Sequence, residues 1–338
     1  GVDPLVAVGQ SSLNAPSPNL NFEGQGDFAL YSPPDTTGDV GPNHFVQMVN
    51  VETAIYDKTG TLLTNFANNQ LWAGFGGPCQ NDNSGDPIVL YDDMADRWLL
   101  SQFAVSTGQF MCLAISVTPA PTGAYYLYGF PMPDFPDYPK LGVWSDGYYL
   151  GTNTGYPNQY YAHVMDRTSM LAGTPATMQS VGGQANFLMP ADADGSLSPP
   201  AGDPGVFYTF FDGGYPNHPA GVDRIALFEF DVDWATPGNT TFGLVQEIPI
   251  TDFNYTTCGF FVRDCLDQLN TTNQLDAVDA WPMVRLQYRN LANYQVLVGN
   301  FTVDADGTDH AGIRWFELRK TGPSWSLFQE GTWAPDAH

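Results

Sequence analysis

Residues 38–50 read Gly-Asp-Val-Gly-Pro-Asn-His-Phe-Val-Gln-Met-Val-Asn, a turn rich in glycine, proline and aspartate followed by an alternating apolar run. The pattern returns at 85–92, where an aromatic-rich run follows, and again at 139–153. Looser copies begin near Asp203 and Asp279. Starts at 39, 86, 140, 203 and 279 are unevenly spaced, but the spacing fits one four-stranded blade plus a variable loop. The sequence therefore predicts an all-β fold, a β-propeller of about five blades of four-stranded antiparallel sheet.

Composition restricts the possible partners. The chain has 338 residues, 43% of them hydrophobic, and carries 11 basic against 36 acidic residues, a formal net charge of −25. Such a surface repels phosphate backbones and anionic lipids, so we expect neither nucleic-acid binding nor membrane insertion. It attracts divalent cations, although the same charge also serves to keep a secreted protein soluble.

The four cysteines are Cys79, Cys112, Cys258 and Cys265, without the Cys-x-x-Cys spacing of a metal site. The simplest pairing is two local disulfides, 79 to 112 and 258 to 265, with buried free thiols as the alternative. Disulfides imply an oxidising compartment. We therefore expect a secreted, extracellular protein. Residues 1–4 show no leader pattern, so the signal peptide of such a protein has already been removed.

Two regions are predicted. Residues 31–338 form the propeller, and residues 1–30 are an N-terminal extension or closing strand. The segment Pro4–Gly9 is apolar and reads as a strand without a blade of its own. It either completes the last blade of its own chain or adds to the sheet edge of a neighbouring chain, which would cause self-assembly.

Three stretches, residues 33–50, 85–92 and 310–319, resemble a group of large secreted bacterial proteins that are usually interpreted as β-propellers with other extracellular modules attached. The resemblance covers the chain from about residue 30 to the end. It implies a propeller fold and an extracellular location. It supplies no catalytic residues.

Aspartates at alternate positions beside a glycine suit calcium, which needs six to eight oxygen ligands. No loop is a complete EF-hand, and aspartate and glycine are also ordinary turn residues. Calcium binding and solvated turns therefore both stay open. The candidate ligands are Asp192 and Asp194, then Asp304, Asp306 and Asp309, and finally Asp82 and Asp86.

Sugar-cleaving propellers need carboxylates that converge in the central funnel, one acting as acid and one as base or nucleophile. The candidates lie near the openings of the predicted inner strands, although a structural turn would look the same. They are Asp39, Asp86, Asp146 and Asp279, with Trp144, Tyr149, Trp281 and Arg285 as the sugar platform.

Binding without chemistry is the prediction that we favour. Aromatic rings offer contact area to a glycan or a protein at low entropic cost. The aromatic cluster at 155–161 lies at a turn and contributes Tyr156 and Tyr160 to the candidate ligand-binding residues. The predicted protein is thus an extracellular or cell-surface propeller acting in binding or assembly, with a glycan or protein partner and calcium for stability; a glycoside hydrolase or lyase is the alternative.

Overall fold

A computed structural model describes residues 1–6, 17–26, 31–154, 159–183, 185, 187–215, 219–259, 262 and 264–335. This part of the chain is all-β, with two short α-helices, Gly77–Asn81 (α1) and Arg167–Ala172 (α2). The strands are Thr37–Val40 (β1), His44–Val49 (β2), Glu52–Asp57 (β3), Leu62–Ala67 (β4), Gly85–Asp92 (β5), Arg97–Ala104 (β6), Phe110–Ser116 (β7), Tyr125–Pro131 (β8), Asp137–Val143 (β9), Tyr148–Thr154 (β10), Gln159–Met165 (β11), Met178–Gly182 (β12), Met189–Ala193 (β13), Gly205–Phe211 (β14), Arg224–Asp231 (β15), Thr241–Pro249 (β16), Pro282–Asn290 (β17), Gln295–Asp304 (β18), Ala311–Lys320 (β19) and Trp325–Trp333 (β20).

The strands follow one another in antiparallel groups of four. Three separate sheets have the orders β1-β2-β3-β4, β5-β6-β7-β8 and β9-β10-β11-β12. Strands β13–β16 and β17–β20 form two more such groups, which are joined into one eight-stranded sheet. The junction is a parallel pairing of β13 with β17, in which Ala191 lies opposite Leu286. The predicted all-β class and four-stranded groups are confirmed, and the fourth and fifth groups share a sheet.

One predicted repeat start is wrong. Asp203 precedes β14, which is the second strand of the fourth group, whereas the group begins at β13. All five residues of β13 are buried, so the strand shows no alternation of apolar and polar residues and gives no periodic signal. The repeated pattern becomes recognisable only at β14, which is why the predicted start falls one strand too late.

The chain divides into two compact units. The N-terminal unit consists of residues 16–183 and 194–198 and contains β1–β12. The C-terminal unit consists of residues 1–15, 184–193 and 199–338 and contains β13–β20.

Apolar side chains between successive sheets form the core of the N-terminal unit. Met48 and Ile55 of the first sheet pack with Trp98 and Leu100 of the second. A second cluster joins the second sheet to the third, for example through Leu99 and Val143. Each such side chain contributes roughly 1.5–3 kcal/mol when fully buried. This packing brings the first strands β1, β5 and β9 next to one another.

Aromatic pairs fill the C-terminal unit. Phe210 stacks on Phe301 with ring centroids 4.0 Å apart. Tyr208 meets Phe316 edge-on at 5.2 Å, and its hydroxyl donates to the carbonyl of Asn300 at 2.8 Å. The polar end of a buried tyrosine is thereby satisfied.

Both predicted disulfides are confirmed. Cys79 of α1 is bonded to Cys112 of β7, and Cys258 is bonded to Cys265. No helix in the described residues is long and apolar enough to cross a membrane.

The first residues of the chain contact the last strand of the same chain. Val6 forms a parallel bridge with Thr332, and the carbonyl of Leu5 accepts the Thr332 N–H at 3.2 Å. The buried Asp3 carboxylate lies 2.7 Å from the equally buried guanidinium of Arg314. Residues 7–16, which include the rest of the predicted closing strand, lie outside the described residues, so closure of the last blade stays a prediction.

Candidate functional site

A β-bulge lies near the start of β5. Gly85 is opposite Phe103 and Ile88 is opposite Ser101, so three steps along β5 match two along β6. The extra residue disturbs the ladder at Asp86, whose φ of 44° is uncommon for a residue with a side chain. Bulges re-aim side chains, and this one sets Asp86 apart from the regular alternation of the strand.

β9, the first strand of the third sheet, has a β-bulge of the same kind. Asp137 is opposite Asn153 and Lys140 is opposite Gly151, so again three steps match two. The irregular residue is Tyr138, with a φ of 48°. Asn153 and Gly151 are two residues apart and therefore share a face of the sheet, which puts Asp137 and Lys140 on that same face. Without the bulge, a spacing of three would have put them on opposite faces.

Asn50, at the end of the first sheet's second strand, connects two of the acidic residues. Its amide nitrogen donates to the carboxylate of Asp35 and to the carbonyl of Pro33, the latter at 3.1 Å. Its amide oxygen accepts the N–H of Asp86 at 3.0 Å. A Cβ on Gly85 would come within 2.6 Å of that amide oxygen, so this close approach requires glycine.

We call Asp35, Asp86, Asp137 and Lys140 the acid–lysine cluster. All four are half-buried. The carboxyl groups of Asp35 and Asp86 are hydrogen-bonded to each other, which requires a proton on one of them. The ammonium of Lys140 lies 3.5 Å from the centroid of the Tyr138 ring and donates to the Pro139 carbonyl at 3.1 Å.

Burial dominates the electrostatics of the cluster. It raises the pKa of Asp86 to about 7, helped by the negative charge of Asp35 and opposed by the positive charge of Lys140. Burial also raises the pKa of Asp35, against the hydrogen bond from Asn50. Burial lowers the pKa of Lys140 to about 8, although the three carboxyl groups oppose that shift. At neutral pH the cluster can therefore both donate and accept a proton.

Of the predicted catalytic residues, Asp86 lies in this cluster. Asp39 accepts the N–H groups of Val40 and Tyr91, at 2.7 and 2.8 Å, and so ties β1 to β5. Asp146 accepts the hydroxyl of Tyr149 at 3.0 Å. Both aspartates therefore accept hydrogen bonds within the N-terminal unit, and their predicted catalytic role stays a prediction.

Asp279, the fourth predicted catalytic residue, belongs to the C-terminal unit. It is buried and accepts the N–H of Thr257 at 3.2 Å. Burial raises its pKa to about 6.

The predicted aromatic platform is mostly internal in the N-terminal unit. Trp144 and Tyr149 are each 1% exposed and Tyr160 is 6% exposed, so their rings pack within the unit. Tyr156 lies outside the described residues.

In the C-terminal unit, Trp281 is partly exposed and stacks on Phe187 with centroids 4.7 Å apart. Arg285 forms an ion pair with the buried Asp192 at 2.8 Å. The stacked pair offers an aromatic surface of the predicted type, and its role in ligand binding stays a prediction.

The predicted metal ligands mostly accept hydrogen bonds from the protein. Asp304 accepts the N–H of Gly307 at 2.9 Å, Asp306 that of Thr308 at 2.8 Å and Asp309 that of Cys258 at 2.6 Å. Within the ranges that the structure describes, no three His, Cys, Asp or Glu side chains form a group able to hold a metal ion. Calcium binding stays a prediction. Among the remaining predicted ligands, Asp82 accepts hydrogen bonds from the Ser84 hydroxyl and the Ser106 N–H. Asp192 forms the ion pair with Arg285, and Asp194 belongs to the N-terminal unit.

Sequence reasoning missed Asp35, Asn50, Asp137 and Lys140 as site residues. A usable signal was the repetition of an irregular residue followed by proline, Asp86-Pro87 in β5 and Tyr138-Pro139 in β9. Neither dipeptide shows that β1, β5 and β9 lie next to one another, because this depends on packing between the sheets.

Comparisons with known proteins assign the chain to no family. No protein-family model matches the chain, and no curated protein matches it. It is similar to a solved structure titled a GH43 β-1,3-galactosidase, with 13% sequence identity and a TM-score of 0.35. That alignment covers 87% of this chain and 58% of the other. A TM-score of 0.35 is too low to transfer the fold or the activity of that protein to this chain.

Proposed function

We propose that this is an extracellular protein that binds a neutral, hydroxyl-rich ligand, a carbohydrate, at the acid–lysine cluster. The observation that supports the proposal is the convergence of three carboxyl groups and an ammonium at the starts of three adjacent strands, where all four are half-buried. Carboxylates accept hydrogen bonds from hydroxyl groups, and the ammonium donates to hydroxyl or ring oxygens.

The charge of the cluster and of the chain favours a neutral ligand. Three carboxyl groups act electrostatically on one ammonium, and the net charge of the protein is −25. A phosphorylated or sulfated ligand would be repelled by both. A neutral sugar is repelled by neither, and its hydroxyl groups can both donate and accept.

Hydrolysis of the bound sugar is the second candidate, favoured by the pKa of Asp86. A carboxyl group with a pKa of about 7 keeps a proton that it can give to a leaving oxygen, which is the role of a general acid. Asp35, hydrogen-bonded to Asp86, is too close to act across the scissile bond, where separations of about 5–9.5 Å are needed. In this version Asp35 positions the proton of Asp86, and Asp137 is the candidate base.

The wider architecture belongs to the same proposal. We infer that the five four-stranded groups are the blades of one propeller, because each opens with a strand that pairs with the second strand of its group and the β13–β17 contact is parallel. The two disulfides fit an oxidising, extracellular compartment. Calcium stabilisation and self-assembly remain part of the proposal as the sequence predicted them.

The test separates binding from cleavage. Neutral oligosaccharides on an array are screened with the native protein, and the affinity of each hit is measured by calorimetry. Lys140→Met is expected to weaken binding by about tenfold or more, since it removes a charge-assisted hydrogen bond of roughly 1.5–3 kcal/mol. Asp86→Asn should also weaken binding, because an amide nitrogen replaces one of the two carboxyl oxygens. Glu23→Gln, at an exposed site in the same unit, is the control.

Chromatography of the incubated oligosaccharides reports cleavage. Shortened products with the native protein and none with Asp86→Asn would support hydrolysis. Binding without products supports the simpler function. If no oligosaccharide binds, or if the cluster variants bind as well as the native protein, the proposal is wrong.

A further inference from the structure

A cavity lies along the outer edge of the second sheet. Its volume is about 690 Å³, and it lies between β8 on one side and residues 173–178, which connect α2 to β12, on the other. The lining includes six consecutive residues of β8, 126–131. Side chains alone line a surface at every second position of a strand, so a consecutive lining means that the backbone edge itself faces the cavity.

That edge carries unpaired backbone groups. At the two ends of the β7–β8 pairing, Met132 donates to the carbonyl of Gln109 and Val117 donates to that of Ala124. Residues on β8 alternate between bonding to β7 and facing away, so the odd-numbered members face the cavity. Within the described residues nothing hydrogen-bonds to the N–H or C=O of Leu127 and Gly129.

Contacts between β8 and the end of α2 fix the spacing of the two walls of the cavity. The hydroxyl of Tyr128 donates to the carbonyl of Met170 at 3.0 Å and approaches that of Thr174 at 3.2 Å, which fixes the strand against the end of α2. Gly173, with a φ of 67°, ends this helix, and a Cβ there would come within 2.3 Å of the Tyr126 ring. Substitution of Gly173 would therefore force the two walls apart.

The chemistry of the lining indicates which class of ligand fits the cavity. No residue that lines the cavity carries a charge at neutral pH; the lining consists of aromatic, aliphatic, methionine, proline, threonine and glycine residues. A row of backbone donors and acceptors repeats at about 6.8 Å, twice the rise per residue of a strand. An extended peptide presents the complementary row with the same repeat, whereas the hydroxyl groups of a sugar do not. The end of the row is set by Pro131, which has no N–H to offer.

We propose that β8 is a docking edge for an extended, uncharged peptide segment, which adds to the second sheet as a fifth strand and lies against residues 173–178. This site is separate from the acid–lysine cluster and does not rest on the proposed function.

A random decapeptide library displayed on phage is panned on the native protein, and enriched peptides are synthesised and measured by fluorescence polarisation. Thr177 is exposed in the far wall, so Thr177→Trp fills the cavity without touching the core. This variant is expected to weaken binding by about tenfold or more. Thr122→Trp, at an exposed turn before β8 and outside the cavity, is the matched control and should change the affinity by less than about twofold. Thr177→Lys, which brings a charge into the uncharged cavity, is a second variant in case the tryptophan lowers the melting temperature.

Two further readouts identify strand addition. Proline placed at alternate positions of the peptide should abolish binding, while proline at the intervening positions should be tolerated, because only one set of N–H groups faces β8. Hydrogen exchange of Leu127 and Gly129 should slow when the peptide binds. The proposal fails if no peptide is enriched, if both Thr177 variants bind the peptide normally, or if the proline scan shows no alternation. Binding of a neutral hexasaccharide that is lost in Thr177→Trp would replace the peptide with a glycan and also overturn it.

Discussion

Asp86→Asn is expected to make the free energy of unfolding less sensitive to a rise in pH from about 5 to 7 than it is in the native protein. The pKa of Asp86 is raised from 3.8 to about 7 in the folded state. Between these values the folded protein keeps a proton that the unfolded chain has lost. The contribution of Asp86 to the free energy of unfolding therefore falls with rising pH, and it is complete only below the unfolded pKa. An asparagine has no proton to lose at this position and stays neutral throughout.

The magnitude follows from the two pKa values. One extra bound proton corresponds to a slope of about 1.4 kcal/mol per pH unit. From about pH 5 to pH 7 the slope weakens as Asp86 begins to ionise, and the integrated loss is about 2 kcal/mol. Above neutrality Lys140 works in the opposite direction, because its pKa is lowered to about 8 and the unfolded chain then holds the extra proton. The combined contribution of Asp86 and Lys140 should pass through a shallow minimum between their two folded-state pKa values.

Urea unfolding followed by tryptophan fluorescence at constant ionic strength, in steps from about pH 5 to pH 8, measures the difference. Trp98 is fully buried in the same unit and reports its unfolding. Glu23→Gln should follow the native curve, whereas Asp86→Asn should lose less stability than the native protein over this range. The buried His163, whose pKa is lowered to about 3, acts on both proteins alike and in the opposite direction, so the comparison uses the difference between the two curves. Parallel curves for Asp86→Asn and the native protein would refute the reasoning about the cluster.

Three other expectations can be checked on the same material. Replacing Cys79 and Cys112 by alanine should lower the free energy of unfolding by about 3–4 kcal/mol, because the disulfide closes a loop with a sequence separation of 33, and a thiol assay of the denatured, unreduced native protein should find no free thiol. Asp3→Ala should lower the free energy of unfolding in urea by about 3 kcal/mol, because it leaves the buried Arg314 without its closest partner. The expected loss is near the low end for a broken buried ion pair because Glu330 also lies 3.5 Å from Arg314. Adding Arg314→Met should recover part of the loss, and additive effects of the two substitutions would contradict this. Calcium at a hundredfold excess over its dissociation constant should stabilise the metal-free protein by about 2.7 kcal/mol if the aspartate-rich loops bind it, and an unchanged melting temperature with and without EDTA would exclude that.

Local patterns in the sequence were enough for much of the fold. Alternating runs between glycine- and proline-rich turns predicted antiparallel groups of four strands, and the spacing of Cys79 and Cys112 suggested the disulfide that is present. The predicted start of the fourth group was one strand too late because β13 is buried at every position, and a strand covered on both faces has no period to detect. The same covering explains Trp144 and Tyr149, which look available in a turn-rich stretch and are packed inside.

The candidate site was less accessible to sequence reasoning. Asp86 was chosen because it follows the glycine of a repeat, a local feature. Its partners Asp35 and Lys140 come from other sheets, and Asn50 connects two of them only after the sheets have packed. A raised pKa is likewise a property of burial and of neighbouring charges, neither of which a single chain segment reveals.

The bulges at Asp86 and Tyr138 also bear on how this scaffold can diversify. In each, an irregular residue followed by proline stands outside the regular ladder, so its side chain can change while the pairing on either side stays in register. One such position now carries an acid and the other a phenol ring. A single substitution at either place would exchange the chemistry presented at the start of the strand while the sheets that support it remain the same, which makes these two positions natural points for divergence between related proteins and for redesign.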